Sequence, residues 1–202
     1  MWLTNVTFED RVIDNERLEL GGEDALYFLG RNLILRHCTL VLRVPAQRIH
    51  VNQARILDST IEVKKELKNF RWCSAFLKGC KFTGRLTGCD FGQWPDSPEQ
   101  GGIEDCDFSA AQLQGCRFIG CDASTLRFPP WPCFTILDPV RRLDELSKIP
   151  WPGQVGILVK TLSASPPGTS AVTLSAAVLG KRFGASEDEI KAALGGLDGV
   201  RY

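Results

Sequence analysis

The stretch that decides the fold runs from Cys106 to Phe128, CDFSAAQLQGCRFIGCDASTLRF. Phe108, Leu113, Phe118, Ala123 and Phe128 fall five residues apart, and Cys106, Ala111, Cys116 and Cys121 stand two places before the first four. A helix has no five-residue period, and a flat strand has period two. A coil of short straight edges and corners does, each edge turning one small and one large side chain inward.

A longer period lies upstream. Leu35, Ile56 and Leu77 are 21 apart, as are Leu40, Ile61 and Phe82, and as are Phe28, Ile49, Phe70 and Phe91. Two places before the first two series stand Leu33, Ala54 and Ala75, then Cys38, Ser59 and Cys80, small in all but the first. Phe8, Ile13 and Leu18 repeat the spacing of five near the start. Phe91 to Phe108 spans 17 residues where Phe70 to Leu77 spans seven, and the excess falls in GQWPDSPEQGG, a loop composition.

These periods predict a mainly β fold, a right-handed parallel β-helix over about residues 6–128, with Leu35, Ile56, Leu77 and Phe108 in one buried column. Stacking turns about 4.8 Å apart buries the apolar edges and pairs the backbone from turn to turn. The competing reading is a β-sandwich or an α/β domain. Residues 1–133 are expected to form the solenoid, with an inserted loop near 92–103, and 134–202 a helical C-terminal cap, dimer surface or partner surface.

The segments CKF at 80–82, CDF at 89–91, CDF at 106–108, AQL at 111–113 and CRF at 116–118 resemble the pentapeptide-repeat family. The close match covers about 80–128; from 28 to 79 the pattern is degenerate, with turns of 21 residues where the family has 20. The resemblance implies a quadrilateral β-helix, often capped by helices and sometimes dimeric through its C-terminal end. Some family members protect DNA gyrase by mimicking DNA; those look acidic, whereas this chain carries 24 acids and 24 bases.

That balance argues against a DNA mimic and against a uniformly basic nucleic-acid binder. No apolar run has the length of a membrane span. The start MWLTNVTFED lacks the features of a signal peptide, so a cytoplasmic protein is expected. In that setting the eight cysteines read as small core residues, without disulfides or metal. Cys38, Cys80, Cys106, Cys116 and Cys121 are expected to be buried, Cys73 and Cys89 are left open, and Cys133 in PPWPCF is a candidate for exposure.

Beyond PPWPC, DPVRRLDELSKI suggests a helix with Asp138 as N-cap and Pro139 first. VGILVKTL is compatible with helix or strand, SASPPGTS reads as a turn or linker, and AVTLSAAVLGKRF as a helix ending at Gly184. Ser186 and Glu189 form a capping-box pattern. Helix, GAS, helix also matches a helix-turn-helix, but EDEIKAALGGL offers a DNA groove three acids and one base.

No phosphate loop, HExxH or GxSxG motif is present, and neither His37 nor His50 has a partner marked in the sequence. No catalytic residue, cofactor or metal is therefore assigned. Charge placement says more. Residues 31–90 carry twelve bases and four acids, between acidic stretches on both sides. Arg43, Lys64 and Arg85 are 21 apart and should stack as one outward column, a solvated face or a docking strip for an acidic protein. Trp94 in the inserted loop is a candidate anchor beside it. The expected function is a non-enzymatic protein-interaction module, most concretely an immunity or target-protection protein binding a toxin or its target. The partner is another protein, or a second copy through the C-terminal helices. The alternative is nucleic acid, bound by the basic turns or the helix-turn-helix-like end.

Overall fold

The computed structural model of the protein describes residues 3–95 and 101–202. The chain coils through stacked short strands, as the repeat predicts. The first pass carries β1 (Thr4–Phe8), β2 (Val12–Asp14) and β3 (Arg17–Leu20), and the second β4 (Ala25–Leu29), β5 (Ile34–Arg36) and β6 (Thr39–Leu42). β7 (Ile49–Val51), β8 (Arg55–Leu57) and β9 (Thr60–Lys68) follow, then β10 (Phe76–Lys78) and β11 (Lys81–Thr87). β12 (Asp90–Gly92), β13 (Gly102–Glu104), β14 (Asp107–Gln114) and β15 (Cys116–Ile119) end the coil. Every pairing between these strands is parallel. β1, β4 and β7 make one face, β2, β5, β8, β10 and β13 a second, and β3, β6, β9, β11 and β14 a third.

Corners recur in register because they need backbone that few residues adopt. Asn15, His37, Asp58, Gly79 and Asp105 all have positive φ, between 45° and 64°, each just beyond a strand of the second face. Asn, Asp and Gly tolerate this left-handed region best, so the polar residues between apolar edges are there for conformation.

The core columns correct two alignments. Leu35, Ile56 and Leu77 stack with Ile13 before them, but Ile103 follows Leu77 in register, not Phe108. Phe108 stacks on Phe82 in the third face, rings 4.6 Å apart at 13°. The turn between Leu77 and Ile103 takes 26 residues, five more than the regular turn, because β13 lies inside the stretch read as loop. Residues 96–100 of that loop are outside the described residues. The Phe28 series also slips. Phe28 stacks on His50, and Trp72, not Phe70, lies parallel over Phe91, which lies over Phe118.

The C-terminal segment contains the expected helices and three strands that were not expected. β16 (Cys133–Leu137) leads to α1 (Leu143–Ser147), α2 (Ile157–Ser163), β17 (Thr169–Ser175), α3 (Ala176–Phe183), α4 (Glu187–Leu194) and β18 (Val200–Arg201). β17 pairs antiparallel with β15 and with β16, so one sheet, β12-β15-β17-β16-β18, runs from the coil into the cap. AVTLSAAV thus divides: its first half covers the open edge of β15, and the helix begins only at Ala176, with the Ser175 hydroxyl accepting from the Val178 N–H. α3 ends at Gly184, φ 70°, and Ser186 and Glu189 make the capping box. Asp138 does not cap a helix. Its N–H is bonded to the Ser170 carbonyl and its own carbonyl accepts from Arg141, a tight turn that delays α1 to Leu143. The helices bury Leu146, Leu158, Leu179 and Ile190 with Phe134 and Ile136 in a second apolar cluster beside that of the coil.

Candidate partner-binding surface

Leu42 pairs with Val63, and Val63 with Gly84, so Arg43, Lys64 and Arg85, one residue further on, follow one another along the third face. Beyond Gly84 the ladder slips. Leu67, not Lys65, lies opposite Leu86, and Lys64, Lys65 and Glu66 bulge out opposite Arg85. Gly84 makes the close approach possible: its φ is 92°, and a methyl group there would collide with the Val63 carbonyl.

Carboxylates are interleaved with this column. Arg43 is paired with Glu19. Lys64 lies 2.9 Å from Glu62, which also meets Arg17 at 3.4 Å. The hydrogen bond from Lys64, then that from Arg17, holds the Glu62 carboxyl below the usual range. Glu66 is lowered in the same sense, first by the Thr87 hydroxyl that donates to it at 2.8 Å and then by Lys68. The two-residue spacing of Glu62 and Lys64 on one strand face was the signal available in the sequence for this pairing. Arg85 differs. It is exposed, it faces Gln112 in register on β14, and among the described residues it makes no ion pair within 4 Å.

Beside Arg85 the wall of the coil is interrupted. β14 is the last strand of the third face. Its outer side is continued at the start, where Arg127 bridges to Asp107 and the Phe108 N–H donates to the Arg127 carbonyl at 2.8 Å. Pro129, Pro130 and Pro132 come next. They have no N–H to give, and the ladder stops. The chain returns at Cys133, whose Sγ donates to the Leu113 carbonyl at 3.6 Å, and at Ser175, whose N–H donates to Gln114 Oε1 at 2.7 Å. A groove of about 700 Å³ remains between. Ala110, Ala111 and Gln112 line one side, Pro130, Trp131 and Val178 the other, and Arg85 and Glu66 border it on the coil side.

Trp94 is not part of this surface. It is half-buried, with the Arg71 guanidinium 4.8 Å and that of Arg117 5.5 Å from its ring. Arg117 grips the buried Asp90 through two bonds of 2.7 and 2.9 Å. The indole therefore covers a buried ion pair between β12 and β15, on a different sheet from the basic column.

The thiols divide: Cys80 and Cys89 are lowered, first by hydrogen bonds from the Cys106 and Cys116 thiols, while others are raised. Burial pushes Cys73 up to about 12 and Cys121 up to about 11, and Cys133 is also raised by burial. Cys133 is buried, contrary to its expected exposure, because the returning chain seats it against β14. Cys121 is only half-buried, at the corner where the coil ends, while Cys38, Cys80, Cys106 and Cys116 are buried as expected, and Cys73 and Cys89 with them. His37 has a carboxylate partner, Asp14, at 2.9 Å, with both side chains exposed. Among the described residues no group of three or more His, Cys, Asp and Glu could hold a metal ion, and no helix is long and apolar enough to cross a membrane. Compared with known proteins, the chain matches no family model, no curated protein and no solved structure.

Proposed function

We propose that the protein is a non-enzymatic protein-interaction module, and in its most concrete form an immunity or target-protection protein that engages a toxin or the toxin's target. The observation that carries the reading is Arg85. It is an exposed cation with no ion pair among the described residues, placed at an apolar groove on a rigid coil. A cation beside apolar surface on a rigid backbone suits an acidic residue of a protein partner: the coil loses little backbone entropy, and the free Arg85 side chain loses only its own. The resemblance to pentapeptide-repeat proteins, whose known members include protectors of a target enzyme, points the same way.

Nucleic acid fits less well. Glu19 and Glu62 already neutralise Arg43 and Lys64, and α4 opens with Glu187, Asp188 and Glu189. A phosphate backbone would meet carboxylates at both candidate sites.

The test is affinity purification of the full chain from cells of its source, beside a variant with Arg43, Lys64 and Arg85 all changed to Glu. One protein should co-purify in stoichiometric amount with the wild type, weaken with added salt, and be lost with the variant. The triple variant breaks two exposed ion pairs, worth about 1 kcal/mol or less each, so its thermal midpoint should fall modestly, while Arg85→Glu, which breaks none, should leave the midpoint within a few degrees. Arg85→Glu alone should account for most of the loss. Undiminished binding by the triple variant rules out the column, and tight salt-dependent binding to arbitrary duplex DNA would replace this reading with the nucleic-acid one.

A further inference from the structure

The groove beside β14 has the form of a missing strand. In a parallel coil each turn hydrogen-bonds to the turns on both sides, and β14 has β11 on one side only. Arg127 begins the next pass in register and the prolines end it after a single bridge. The Gly88 N–H donates to the Gln114 carbonyl, so Gln114, and with it Gln112, turns its backbone groups towards β11. By alternation Ala111 and Leu113 turn theirs the other way, into the groove. The Leu113 carbonyl is met there by the Cys133 thiol. The rest of this edge borders the groove, whose far wall is the proline ridge, Trp131 and Val178, with Val178 44% exposed.

We propose that this slot receives an extended peptide segment of a partner protein, which adds to β14 as the strand that the prolines withhold. The inference rests on the protein-interaction reading and says where and how the partner binds. The edge selects the backbone of the occupant: it needs free N–H and C=O groups at strand spacing, which a helix has already used within itself. A proline at a bonding position of the segment would be excluded, as it is from the ladder itself. The walls select its side chains. Apolar residues fit against Pro130, Trp131 and Val178, and a carboxylate belongs on the side of Arg85, whose acidic neighbour Glu66 is bonded to Thr87 and Lys68 and not to it. Edge addition supplies affinity through the main chain, and the wall and Arg85 supply specificity.

Random dodecapeptides displayed on phage would be panned on the immobilised full chain and, in parallel, on Val178→Glu. That exposed position tolerates a charge but turns the far wall against an acidic segment. Peptides enriched on the wild type should carry an acidic residue near a proline-free apolar core. As synthetic peptides they should lose about tenfold or more in affinity on Val178→Glu and on Arg85→Glu. Binding should slow amide hydrogen exchange at Ala111 and Leu113. The slot is overturned if the wild type enriches nothing over Val178→Glu, or if the peptides bind both variants as tightly as wild type. It is equally overturned if exchange slows elsewhere, if the bound peptide is helical, or if the edge proves to pair with a second copy of the chain. A full-length partner lost on the triple Glu variant yet indifferent to Val178→Glu would overturn the slot and leave the interaction module standing. A slot-binding peptide with no salt-sensitive full-length partner would do the reverse.

Discussion

The coil and the C-terminal segment close their backbones in opposite ways. In the coil the strands of the second face are only three residues long, although β9 and β14 in the third face reach nine and eight, and each strand's stability comes from neighbours about one turn away in sequence. In the C-terminal segment, β17 pairs with β15 and β16 across antiparallel registers, bringing Phe118 opposite Ala171. The coil is quasi-one-dimensional, so damage to one turn exposes the edges of the next. The segment works as a cover. Its β17 ends the column on the β15 side, while the middle of β14, one edge away, gains no strand. A chain that seals one terminal edge and leaves the neighbouring one open, with three prolines to keep it so, has the arrangement a strand-accepting surface needs.

The largest expected effect breaks the coil itself. Ile56 is fully buried between Leu35 and Leu77. Ile56→Asp places an unpaired charge in that column, at a cost comparable with the whole net stability of a domain, about 5–15 kcal/mol. The variant should lose its cooperative melting transition by circular dichroism. Because β15 and β17 share one sheet, the signal of the C-terminal segment should vanish in the same step. A second transition surviving in the variant would show the two regions to be independent.

What the sequence revealed follows the same division. The coil repeats one packing solution, so Leu35, Ile56 and Leu77 aligned by counting alone. The count failed at Ile103, which keeps the five-residue step to Phe108 but sits behind GG in a stretch of loop composition. It failed also at Trp72, whose ring reaches the column from two residues beyond the expected Phe70. The C-terminal segment has no repeat to count. AVTLS reads as continuous with the helix after it, and only the open edge of β15, a feature of the tertiary fold, makes it a strand. The surface was half legible. Arg43, Lys64 and Arg85 did align, but the carboxylate partners of the first two come from β3 and from within β9, which a search for like charges passes over. PPWPC read as a break between regions; that it also leaves β14 open depends on Arg127 having already begun the next turn.

A smaller effect tests the junction between coil and cover. Asp90 is buried, and Arg117 on β15 supplies both of its bonds at a pair of strands that β17 extends. Arg117→Ala leaves the carboxylate without its partner, at a cost of about 3 kcal/mol. It also removes one of the two guanidinium groups beneath Trp94. Denaturant unfolding should show that loss together with a red-shifted Trp94 emission, read in a background where the other tryptophans are replaced by Phe. The double variant Asp90→Asn with Arg117→Ala should recover part of the stability. If the single variant is as stable as wild type, the pair does not hold the junction.

The smallest effect concerns the border of the open groove, and it has a sign in pH. The Thr87 hydroxyl donates to Glu66 and, with Lys68, holds its carboxyl below the ordinary value of 4.5. A depressed carboxyl stabilises the fold above its unfolded value, and that contribution is lost as pH falls through the lower native value. Thr87→Val removes the first of the two causes and leaves Lys68. The variant should be less stable than wild type by about 1 kcal/mol at pH 7, the usual worth of such a bond at a partly exposed site. The difference should shrink as pH falls through the depressed native value, beyond which the carboxylate is protonated in both proteins. Urea unfolding at pH 7 and at pH 3 measures the change. An equal difference at the two pH values would assign the effect to packing of the new methyl group against the groove, and Glu66 would then be a passive neighbour of Arg85, not a carboxylate held in place beside it.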